Sequence, residues 1–252
     1  MRFIASGCSF TDYKWTTWAD ILANSFDEYR NVGVGGADNA TIARNLINEA
    51  REGDVAVVLW TGFDRWSQWI EEGYPMPKDE ENHWRHLGTL VFNKEFWSKY
   101  YHPVERFHTM MDYVQLVDLH SQQNNYTAYH FQVFPLFLGE SETEQHPELD
   151  KIFSKYTIKN NYLKSQPSMI EYLEKNKLTD KVPFEPGGPK DDSHATPMAH
   201  WHYLHDVMLP ILKVDVDPGL KGSIEEEQLR VERGESWTKG PQPAWWSDGR
   251  SC

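Results

Sequence analysis

A chain of 252 residues with a formal charge of -13, from 38 acidic against 25 basic side chains, repels phosphate backbones and anionic lipid, so nucleic-acid and membrane-surface partners are disfavoured. Hydrophobic residues make up only 39%, but aromatics reach 14% with 11 Trp, which argues against a disordered chain and leaves large rings to carry much of the core. Two cysteines at opposite ends, Cys8 and Cys252, define no disulfide framework, and no apolar run approaches the roughly 20 residues that a membrane helix needs.

The N-terminus lacks the charged, apolar, small-residue order of a secretory signal, so export by a simple signal peptide is not expected and a cytoplasmic location is. Arg2 to Ser6 reads as a short strand that stops on Gly7-Cys8-Ser9. Trp18 to Ala23 reads as helix and Tyr29 to Val34 as a second strand. Asp38 to Glu52 carries Ile42, Ala43, Leu46 and Ile47 at helical spacing, with Asp38 or Asn39 able to cap the start. Asp54 to Trp60 is a near-continuous apolar run, the pattern of a parallel strand covered on both faces, and it ends at Thr61-Gly62.

From Trp66 the pattern breaks, and about 66–104 reads as an aromatic-rich insertion holding Trp66, Trp69, Trp84, Trp97, Tyr74, Tyr100 and Tyr101. Regular order resumes with a helix around Arg106 to Ser121 and a strand around Tyr126 to Phe134. Pro147 to Lys155 and Ser168 to Lys175 look helical, Pro183 to Asp192 is a Pro- and Gly-containing charged loop, and Pro197 to Lys213 is a final amphipathic helix. Residues 1–213 are therefore expected to form one domain, and 214–252 a polar tail lying on it or partly disordered. That tail carries Glu225-Glu226-Glu227 and Trp245-Trp246; the tryptophan pair has two candidate docking places, its own domain or a neighbouring subunit of a homo-oligomer.

Strand and helix alternate at least three times, which implies an α/β domain with a parallel sheet and helices on both faces. Ligands of such sheets gather at the carboxyl ends of the strands, which puts Ser9, Gly36 and Gly62 on one rim. A serine there needs a base, and "KDDSHATPMAHWH" offers His194 just before the last helix, with Asp191 three and Asp192 two residues earlier to fix its tautomer. Taken singly these are a turn serine and a solvated Asp-His pair; their joint placement is what favours a nucleophile.

The order of these motifs resembles the SGNH hydrolase superfamily, the GDSL-type esterases and lipases. Its first block, Gly-Asp-Ser-Leu, is met by Gly7-Cys8-Ser9-Phe10; its second by Asn31, Gly33 and Gly36 of "NVGVGG"; its last, Asp-x-x-His, by Asp191-Asp192-Ser193-His194. The resemblance implies a three-layer α/β/α sandwich with a mainly parallel, flavodoxin-like sheet, and an esterase needing no metal or other cofactor. It implies that Ser9 attacks an ester carbonyl, His194 relays the proton, and Asp191 orients His194, with Asp192 as the fallback orienter. Backbone N–H groups of Ser9 and Gly36 would hold the oxyanion. The third block departs from the family's Gly-x-Asn-Asp and reads Gly62-Phe63-Asp64-Arg65, so a carboxylate stands where an amide donor is expected. Asp64 then turns toward Arg65, or Asn39 or Thr61 supplies the donor, or hydrolysis is weak. Asn39, Thr61, Arg65 and Trp66 are the expected lining of the substrate site.

Other features have plainer readings. "GVGG" fails as a dinucleotide fingerprint, because Asp38 stands where its third glycine belongs. Cys8 reads as a small packing residue. His200, His202 and His205 do not share one helical face, so no metal set is expected. The insertion's aromatics read first as a local mini-core and second as a platform beside the rim; flat faces there favour sugar rings over acyl chains, which makes an O-acetylated carbohydrate the preferred substrate. The competing class is a non-catalytic glycan-binding or virion-assembly protein, since the compact, Trp-rich "GCSFT" pattern also resembles SGNH-like proteins of tailed phages.

Overall fold

The computed structural model describes residues 1–69, 84–87, 101–136 and 148–235. In chain order these form β1 (Arg2–Gly7), α1 (Trp18–Ala23), β2 (Glu28–Asn31), α2 (Asn39–Glu49), β3 (Val55–Trp60), β4 (Trp66–Trp69), β5 (Trp84–Leu87), α3 (Pro103–Gln123) and β6 (Thr127–Gln132). They continue with α4 (Glu148–Phe153), α5 (Met169–Lys175), β7 (Val182–Pro183), β8 (Lys190–Asp192) and α6 (Pro197–Tyr203), then a π-helical turn at Leu204–Met208, α7 (Leu209–Leu212) and α8 (Leu220–Glu232).

Four strands pair in the order β2-β1-β3-β6, all parallel. The apolar run of β3 lies at the centre because only a strand with neighbours on both edges and helices on both faces can bury Val57, Val58, Leu59 and Trp60 completely. Each large side chain so buried contributes roughly 1.5–3 kcal/mol. Successive strand residues point to opposite faces, so Phe3 and Ser6 mark the two sides of β1. Phe3 packs against Trp18 of α1 and against Phe26, whereas the Ser6 hydroxyl donates to the Ile42 carbonyl of α2 at 2.9 Å. Helices α1 and α2 therefore cover opposite faces. Helix α3 packs on α2, while α6 packs on α1, α5 and α8, giving an α/β fold with a group of helices on each side.

Local chemistry accounts for the element ends. Helix α2 begins after Asp38, whose carboxylate accepts the Thr41 N–H at 2.9 Å; α5 begins with a reciprocal Ser168–Glu171 capping box. At the amino end of the sheet, Arg2 grips Asp54 through two hydrogen bonds. Beyond β6, a single bridge between His130 and Asn161 brings the chain to where a further strand would run.

Three expectations are revised. The insertion, read as lacking regular structure, contains the antiparallel pair β4–β5, and its last residues open α3; Tyr74, Trp97 and Tyr100 lie outside the described residues, as does Trp245-Trp246. The charged loop before His194 contains the short pair β7–β8. The tail contains α8, which buries Ile224, Glu227 and Val231 against α6 and β7. No helix among the described residues is long and apolar enough to cross a membrane.

Candidate active site

Ser9 stands two residues past the end of β1, in a turn closed by the Thr11 N–H on the Cys8 carbonyl at 2.8 Å. The turn can fold back this tightly because position 7 is glycine: a Cβ there would sit 2.1 Å from the Thr11 hydroxyl oxygen. Asn31, at the end of β2, donates its amide to the Thr11 carbonyl and accepts from the Gly33 N–H, both at 2.9 Å, so the loops after β1 and β2 are tied together. Cys8 is fully buried, as a packing residue would be.

His194 comes to this turn from the far end of the chain. Its Nε2 lies 2.8 Å from Ser9 Oγ and its Nδ1 lies 2.8 Å from Asp192 Oδ1. The same carboxylate oxygen accepts the His194 backbone N–H at 2.9 Å, while the Tyr13 hydroxyl donates to the other oxygen. Burial alone would raise the Asp192 carboxyl, but the hydrogen bonds from Tyr13 and His194 outweigh it and hold it below the ordinary carboxylate value. An ionised Asp192 only accepts, so Nδ1 carries the imidazole proton and Nε2 is left to accept from Ser9.

Asp191, expected to orient the imidazole, does not. Neighbouring residues of a strand point opposite ways; in β8, Asp191 is exposed and Asp192 faces inward, 4% exposed. Asp192 is the orienter.

Tyr13 was not singled out from the sequence. Its ring lies against His194 with centres 4.1 Å apart and planes 21° from parallel, and Trp15 meets it edge-on at 4.6 Å. Burial, then the bond to Asp192, pushes the Tyr13 phenol well above its usual value, so it stays a donor. Trp15 in turn donates its indole N–H to the Ala195 carbonyl at 2.8 Å and packs with Val182 of β7 and Val231 of α8. Helix α8 also accepts the Thr16 N–H on Glu227 and the Met198 N–H on Gln228. The supposed tail thus braces the loop that carries His194.

Among the described residues the backbone N–H groups of Ser9 and Gly36 donate to no acceptor, and Gly36 has φ 75°, a conformation glycine adopts without strain. Asn39 exchanges hydrogen bonds with the Thr61 backbone, accepting from its N–H at 3.0 Å and donating to its carbonyl at 3.2 Å, which ties the start of α2 to the end of β3. The Thr61 hydroxyl is buried without a hydrogen-bond partner among the described residues. Asp64 folds back over Gly62, where a Cβ would stand 2.3 Å from its Oδ1. Among the described residues no hydrogen bond or ion pair joins Asp64 to Arg65. The Arg65 guanidinium instead lies 5.6 Å from the centre of Phe134, which meets Phe10 edge-on at 5.9 Å, and Phe10 lies 5.1 Å from His194. Arg106 of α3 holds this loop by donating to the carbonyls of Phe63 and Arg65 while stacking 4.5 Å over Trp66.

The histidines beyond His194 are structural in placement: His200 is buried, and His205 packs on Trp201 at 4.1 Å. No protein-family model matches the chain, and no curated protein matches it in sequence. What fold and side chains define is a class: an α/β protein with a parallel sheet and a Ser-His-Asp hydrogen-bonded series at its carboxyl rim.

Proposed function

We propose that the protein is a serine hydrolase of SGNH type that cleaves a carboxylic ester. The observation that carries this reading is the pair of 2.8 Å contacts of His194, to Ser9 Oγ on one nitrogen and to Asp192 on the other. Ser9 Oγ attacks the acyl carbon as its proton passes to His194 Nε2, and Asp192 stabilises the resulting imidazolium. The tetrahedral oxyanion is held by the N–H groups of Ser9 and Gly36, where one well-placed donor is worth about 3 kcal/mol of barrier. Collapse expels the alcohol, which takes the proton from His194. Water then attacks the acyl-Ser9, passing its proton to His194, and the acid and free Ser9 are released. An acetylated carbohydrate is the substrate favoured by the aromatic surroundings.

A second reading, a glycan-binding or virion-assembly protein on the same scaffold, is favoured by Asp64, whose carboxylate stands in the third block without a cationic partner among the described residues. Hydrolysis of 4-nitrophenyl acetate separates the two. Ser9-dependent turnover supports the hydrolase; equal background rates for the natural protein and Ser9→Ala support the binding protein.

A further inference from the structure

We propose that Arg65 anchors a carboxylate on the substrate, so that the preferred ester is a monoanionic one; this rests on ester hydrolysis at Ser9. A guanidinium stays charged at any physiological pH. In a chain with 38 acidic residues, Arg65 nevertheless meets no carboxylate and no other acceptor among the described residues, although Asp64 is its neighbour. Its Nη1 is shielded from solvent with no hydrogen-bond partner. The rest of the guanidinium is only partly shielded, so an incoming carboxylate can reach its remaining N–H groups and supply the acceptor this cation lacks among the described residues.

Other arginines of the chain differ in this respect. Arg106 donates to the Phe63 and Arg65 carbonyls, and Arg2 is paired with Asp54. Arg65 is also well placed. It follows β3 on the rim that carries Ser9, and its guanidinium faces Phe134, which meets Phe10, which in turn lies against His194, so Arg65 and the imidazole border one group of aromatic rings. The guanidinium lies 5.6 Å from the Phe134 ring centre, and its planar fork matches a carboxylate in two-point geometry. The overall charge of -13 and adjacent Asp64 disfavour a dianion such as a phosphate monoester. A sugar acid esterified on a hydroxyl has the required chemistry.

The test compares 4-acetoxybenzoate with its uncharged methyl ester, which share the acetyl group to be cleaved. The natural protein should favour the anion by about tenfold or more in kcat/KM, and Arg65→Met should collapse that ratio. Calorimetric titration of 4-acetoxybenzoate into Ser9→Ala reads binding without turnover; heat should appear there and vanish in Ser9→Ala/Arg65→Met. A ratio near one in the natural protein, or titration heats identical with and without Arg65, overturns the proposal. If neither ester shows Ser9-dependent cleavage, the hydrolase reading fails and the titration alone decides the role of Arg65.

Discussion

Tyr13 lies flat on His194, with ring centres 4.1 Å apart, while its hydroxyl reaches past the imidazole to Asp192. One side chain thus holds both the imidazole and the carboxylate bonded to it. Both groups donate to Asp192, the phenol to one oxygen and His194 to the other, so removing the phenol leaves the carboxylate held from one side only. Tyr13→Phe keeps the stack but loses one hydrogen bond to Asp192, and should lower kcat/KM by about fivefold. Tyr13→Leu also loses the ring face over the imidazolium and should cost about tenfold more in kcat/KM. An unchanged kcat/KM in Tyr13→Phe would leave Tyr13 as packing only.

Asp192 and Asp191 are adjacent but face opposite ways, and their amide variants should separate cleanly. Asp192→Asn presents an amide to Nδ1 and frees the wrong tautomer, so kcat should fall by up to about four orders of magnitude. Asp191→Asn changes an exposed side chain and should remain within about twofold. Steady-state kinetics on both variants checks this; the reverse ranking would return the orienting role to Asp191.

His130 concerns stability, not turnover. It sits fully buried on β6, accepting the Trp60 indole N–H at 3.1 Å on Nδ1, and burial pushes its pKa down to about 3. The folded value lies below the unfolded one of about 6.5, so stability is intact above that pH and is lost as pH falls toward the folded value, at about 1.4 kcal/mol per unit. Between pH 7 and 5 the natural protein should lose about 2 kcal/mol more than His130→Asn, which keeps an acceptor for Trp60 but does not titrate. Urea denaturation at the two pH values measures the difference. Parallel losses would mean that His130 is protonated or solvated when folded.

Long apolar or well-capped segments were legible in the sequence: β1, β3, α2 and α5 appear within a few residues of their expected bounds, because burial on two faces or a capping side chain leaves a local signature. Ser9 and His194 were legible for a related reason, since each follows or precedes such an element. The choice between Asp191 and Asp192 was not, because it depends on the pairing of β8 with a strand only two residues long, Val182–Pro183. Helix α8 was hidden by its acidic run: Glu227 occupies its buried stripe as an acceptor for Thr16, where periodicity looks for an apolar residue. Tyr13 was silent because its role arises from contacts with residues more than 170 positions away.

The central claim is that Ser9 is an activated nucleophile, and covalent labelling with a fluorophosphonate followed by peptide mass mapping tests it most directly. The expected result is one adduct on Ser9, with labelling slowed by orders of magnitude in His194→Ala. An unlabelled protein, or an adduct on another residue that forms equally fast without His194, would contradict the account.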